Sequence, residues 1–209
     1  MSYIPKDAVT QSFRSNKGVL TPNQIIELDN ENKFTKFGQL ELIQTQTYSS
    51  GVALVDFTNL GDDFDVHLLT YNDVLSVTNN IRPIQLQFFE NGTLETGSVY
   101  VYAQQYNYPS SAAELKSTGD TEIELSYEIG NSVPASAVGY CYMYNLRDVS
   151  KYSLVTHHTL RGSTSSFTGA IFGSGVLPQT SVVDGFRLKT SDGSNYSSYD
   201  FSLYGIRFT

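Results

Sequence analysis

Three histidines, two clusters of carboxylates and one cysteine are the side chains of this 209-residue chain that could carry chemistry. His157 and His158 are adjacent, and in a strand adjacent side chains leave opposite faces, so the two cannot chelate one ion together. His67 sits in FDVHLLTY, where Phe64, Val66 and Leu68 share one face and Asp65 and His67 the other, which places His67 alone on the outward face. The carboxylates of LGDDFD and STGDTEIELSYE could cut a glycosidic bond if two were held a suitable distance apart. Both sets fall at turns or on the alternate face of a strand, where acids keep an edge soluble. Asp62, Asp63 and Asp65 offer clustered oxygens to calcium, without the spacing of a known loop. Cys141, in the apolar run VGYCYMY, has no base beside it in sequence and reads as a small core residue; as the only cysteine it makes no internal disulfide.

No G-x-S-x-G, phosphate-binding glycine loop or H-E-x-x-H occurs in the sequence, and the chain reads as non-enzymatic, with no catalytic residue, no metal and no cofactor. Asn91-Gly-Thr93 and Asn195-Tyr-Ser197 match the glycosylation triplet, but without a signal peptide neither is expected to be used. The tyrosines carry more. Tyr100 and Tyr102 alternate on one strand face, and Tyr140, Tyr142 and Tyr144 on another. Such rows either stack on a ligand or a neighbouring subunit, or cover an inner face with their hydroxyls at its rim.

The elements that would position these groups are strands. Fifteen Tyr and 12 Phe with no Trp, abundant Ser, Thr, Asn and Gly, and only 16% charged residues favour sheets and turns over helices. From Gln39 onward, short alternating runs separated by turn residues recur at a spacing of about ten residues, the pattern of an antiparallel sandwich. Strands are expected near 39–47, 52–58, 63–71, 83–90, 98–106, 121–128, 138–145, 151–158, 166–172, 180–190 and 199–208. Asn91-Gly92 suits a tight turn with positive φ angles. The Gly-, Ser- and Thr-rich stretch 161–175 reads as a long loop with a weak edge strand. The final YDFSLYGIRFT alternates through Phe201 and Leu203 but then through Ile206 and Phe208; a β-bulge at Tyr204-Gly205 would return the second pair to the first pair's face. The stop directly after these residues suggests a last strand built into the body, leaving the N-terminus to attach.

Residues 1–38 read differently, as an extended arm. Thr21, Pro22 and Gln24 mark the start of a helix near 22–29 that sets Ile25 and Leu28 on one side. That stripe is too small to fold alone, so the arm is expected to attach to a neighbour through Ile4, Phe13, Val19, Leu20, Ile25, Leu28, Phe34 and Phe37. Of the chain's 13 Lys and Arg and 21 Asp and Glu, the arm holds five and four, leaving eight and 17 for residues 39–209. The body is therefore acidic, and the chain has no cluster of basic residues with which to bind nucleic acid. No apolar run approaches the ~20 residues of a membrane span, and no signal peptide opens the chain, so synthesis in the cytoplasm without membrane insertion is expected.

Three segments, SSGVALVDFTNLGDDFDVHLLTYNDV, IQLQFFENGTLETGSVYVYAQQY and VVDGFRLKTSDGSNYSSYDFSLYGIRF, resemble small virion structural proteins of tailed bacteriophages of marine and cyanobacterial hosts, and MSYIP resembles the start of many cyanophage structural proteins. The likeness covers most of 39–209 and is strongest in the ending. It implies an all-β sandwich of jelly-roll or lectin-like type, carried on the virion in the tail, fibre or head decoration. It transfers no catalytic residue set. The expected partners are other virion proteins and further copies of the chain, a trimer being the expected assembly, with host surface glycan as an alternative ligand and virion-borne polysaccharide degradation as a third reading.

Overall fold

The computed structural model describes residues 22–30, 40–48, 51–78, 81, 84–128, 130–162 and 168–206. The chain divides into two units, Met1–Phe37 with Thr209, and Gly38–Phe208. In the first unit the described element is helix α1, Pro22–Asn30, which starts where Pro22 predicts; Ile25 and Ile26 are exposed and Leu28 is half-buried. Ile4, Phe13, Val19, Leu20, Phe34 and Phe37 lie outside the described residues.

The second unit is antiparallel β throughout. Its strands are β1 (Leu40–Tyr48), β2 (Leu54–Thr58), β3 (Val66–Ser76), β4 (Gln85–Glu90), β5 (Thr93–Leu94), β6 (Tyr100–Tyr108), β7 (Ser111–Asp120), β8 (Ile123–Glu124), β9 (Ala137–Tyr144), β10 (Ser153–Arg161), β11 (Gly169–Leu177), β12 (Val183–Lys189) and β13 (Tyr196–Ile206). They form two sheets, an eight-stranded one in the order β1-β13-β3-β9-β10-β11-β6-β7 and a smaller one in the order β2-β12-β4-β5, with β8 also on β4. The sheets pack face to face as a sandwich, as expected. One core joins Leu69, Cys141, Met143, Val155, Phe201 and Leu203 of the large sheet to Phe57, Leu86, Phe88, Phe186 and Leu188 of the small one.

The tight turn forms as expected: Asn91 and Gly92 take φ of 49° and 77°, and Phe89 pairs with Leu94 across it. Three features differ from expectation. The stretch 161–175 contributes an internal strand, β11, seated between β10 and β6. Residues 111–120, given no strand, form edge strand β7, whose Ala, Glu, Lys and Ser side chains lack the apolar alternation that marks a core face. The expected bulge at Tyr204-Gly205 is absent: β13 alternates unbroken through Phe201, Leu203 and Gly205 on the buried face, with Tyr204 and Ile206 on the other. The register slip lies across from it, on β1 between Leu42 and Gln44. Glycine at 205 serves close packing instead, because a Cβ there would overlap the ring of Phe64.

Candidate functional site

Two of the three histidines and the cysteine point inward. His67 is 1% exposed on the inner face of β3, in line with Leu69 and Tyr71, and Phe64 meets its ring edge-on at 6.1 Å. This reverses the outward placement: Phe64 precedes the strand and folds over Gly205, so strand phase begins at Val66. Burial lowers His67 to about 4, and among the described residues neither ring nitrogen has a hydrogen-bond partner. His157 and His158 do leave opposite faces: His157 is buried and lowered to about 4, whereas His158 lies edge-on to Tyr140 on the outer face. Cys141 is fully buried, and burial pushes its thiol well above the ordinary range.

The carboxylates form structural networks. Asp62, Asp63 and Asp65 are exposed, and no group of three or more candidate ligands among the described residues could hold a metal ion. Glu124, expected on a soluble edge, is buried; it and Glu122 accept hydrogen bonds from Gln85 Nε2 at 2.8 and 3.2 Å, and Lys189 pairs with Glu122 at 3.3 Å. On the same outer face of the small sheet Arg187 donates twice to Asp56, each bond 2.7 Å. A pair the sequence did not advertise, Glu90 and Glu95, meets across the β4–β5 hairpin. Burial raises Glu90, which accepts from Ser181, while the Gly97 N–H at 2.6 Å and Gln179 hold Glu95 low. The neighbouring Glu95 carboxylate adds to the rise at Glu90.

The tyrosine rows divide between the alternatives. Tyr100 and Tyr102 lie in the core rather than at an interface: the Tyr100 hydroxyl accepts from Phe88 N at 2.8 Å and donates to the Glu95 carbonyl, and Tyr102 reaches Asp120. Tyr140, Tyr142 and Tyr144 face outward from β9. Tyr140 is 43% exposed, and each ring contacts the next at 5.7 and 6.3 Å between centroids.

These rings are the centre of a larger surface. Strand register sets Leu40, Ile206, Val66, Tyr144, Leu154, Val176 and Val101 in one line across seven strands of the large sheet's outer face. Beside it runs a second line of Leu42, Tyr204, Leu68, Tyr142, Thr156, Ser174 and Ala103, which meets Lys116 on β7. Outer faces of antiparallel sandwiches are normally polar, as the small sheet's Asp56, Arg187, Gln87 and Lys189 are here. The large sheet breaks that pattern, with Leu42 60%, Leu40 52% and Leu154 43% exposed. Along this face the β1 side projects bulky side chains. The opposite side is hollow: Val101, Ala103, Thr118, Tyr144, Leu154 and Val176 line a cleft of about 480 Å³ over β11. Gly175 lets β11 sink toward the second layer, since a Cβ on it would stand 2.6 Å from Ile123.

Set against protein-family models, curated proteins and solved structures, the chain matches none. The outer face is therefore read from its own chemistry. Its two lines of side chains hold no carboxylate, in a chain of net charge −8. They offer burial and ring stacking.

Proposed function

We propose that this chain is a non-enzymatic structural protein of a bacteriophage virion. Residues 1–38 attach it to the particle, as a tail, fibre-associated or head-decoration component, and the sandwich contacts a neighbouring subunit through the outer face of its large sheet. The observation that carries this reading is the uncharged apolar belt that crosses seven strands from Leu40 to Val101. A belt of that extent on an acidic body gains from being covered, at about 25 cal/mol for each Å² of apolar surface removed from water. The phage assignment draws on the resemblance of the three sequence segments and of the FSLYGI ending.

Co-sedimentation with particles lacking the protein tests the reading. The full chain is expected to pellet with them, a chain lacking residues 1–38 to stay in the supernatant as a folded body, and Tyr142→Lys to bind more weakly. A truncated body that pellets as well as the full chain contradicts attachment through the arm. A second reading, recognition of a host surface glycan, is favoured by the cleft, where Tyr144 offers a ring face beside the hydroxyls of Thr118, Thr156 and Ser174. A glycan array on which the purified chain binds nothing would remove it.

A further inference from the structure

The two halves of the outer face differ in relief, and the difference is self-complementary. On the β1–β13 side the outward residues are large, with Leu40 and Leu42 exposed and Tyr204 and Ile206 half-buried; on the β11–β6 side the small side chains of Ala103 and Ser174 border the cleft over Gly175. With β9 and β10 at the middle of the eight strands, a two-fold axis laid along the strand direction between them would stack one outer face on another. That operation sets β13 over β6 of the second copy, β3 over β11, and β9 over β10. Tyr204 and Ile206 of each copy then face Ala103 and Val101, which line the cleft of the other, twice, and the rings of Tyr142 and Tyr144 pack near the axis.

We infer that the occupant of this face is a second copy of the same chain, in a two-fold sheet-on-sheet dimer. The inference rests on the reading of the belt as an assembly surface and names its partner. Size agrees. With strands ~4.8 Å apart and alternate residues ~6.8 Å apart, seven strands and two rows cover roughly 460 Å² in projection, more than half of the ~800 Å² of accessible surface that each partner of a stable complex gives up. Charge agrees as well. The acidic groups of the body lie off the belt, so stacking belt on belt brings no carboxylates together, whereas an acidic partner surface gains nothing from Lys116, already paired to Glu114 at 3.4 Å.

Sedimentation velocity on the purified full chain tests the dimer. A mass twice that of the chain is expected at micromolar concentration, and Leu154→Arg, which sets like charges beside the axis, and Ala103→Arg, which fills the cleft, are each expected to return it to the monomer with an unchanged far-ultraviolet spectrum. Leu54→Arg, on the exposed face of the small sheet, leaves the dimer intact. Should Leu154→Arg misfold, Ala103→Arg decides. A monomeric wild type, a trimer, or a dimer that survives Ala103→Arg overturns the inference. A monomer that still pellets with particles overturns the dimer alone, and a dimer that fails to pellet overturns the virion reading alone.

Discussion

At the scale of single residues, burial sets the chemistry. His67 and His157 are held at about 4 against an ordinary 6.5, so the unfolded chain binds protons at pH values where the folded chain does not. Their contribution to stability is complete above pH 6.5 and is lost as pH falls toward 4, by up to roughly 3 kcal/mol for each ring. Because His67 has no hydrogen-bond partner among the described residues, His67→Leu gives up no bond. Urea unfolding of this variant is expected to match or exceed wild type at pH 7 and to fall less between pH 6.5 and 4; an unchanged slope with pH would contradict the buried neutral ring. Gly205 makes a second test. Gly205→Val is expected to destabilise by about 1–3 kcal/mol through overlap with Phe64, and Phe64→Ala in the same chain to recover part of that loss. Strictly additive losses would argue against the contact.

At the scale of elements, two-residue alternation located most strands, because sheet faces alternate whatever their partners. It named two faces without saying which was inside. Alternation alone therefore sets His67 outward and does not separate Tyr100 and Tyr102, which fill the core, from Tyr140, Tyr142 and Tyr144, which lie on the outer face. Inside and outside depend on sheet order, which arises from pairings such as β13 with both β1 and β3, far apart in sequence. β7 gives no sequence signal for the complementary reason: an edge strand with little to bury carries no apolar period. The glycines of 161–175 look like loop residues, yet Gly175 is where β11 must approach Ile123. The β4–β5 turn was legible because its requirement is local. Gly92 has φ of 77°, so Gly92→Ala is expected to lower stability by about 1 kcal/mol, measured as a fall in Tm; a Tm unchanged within error would contradict the turn geometry.

At the scale of the whole molecule, the two outer faces are built for different surroundings. The small sheet ties its outer side chains together through the partly exposed pair Asp56–Arg187 and the buried pair Gln85–Glu124. The large sheet carries on its outer face a belt of Leu, Val and Tyr that is exposed at Leu40, Leu42 and Leu154 and buried at Val66 and Leu68. The belt could not be read from the sequence, since it depends on the register of seven strands drawn from all parts of the body. A density map of the assembled particle with this chain placed in it tests the account most directly. The belt from Leu40 to Val101 is expected to lie against another subunit, with the polar face of the small sheet toward solvent. A map in which the belt faces open solvent while the Asp56–Arg187 face is covered would contradict it.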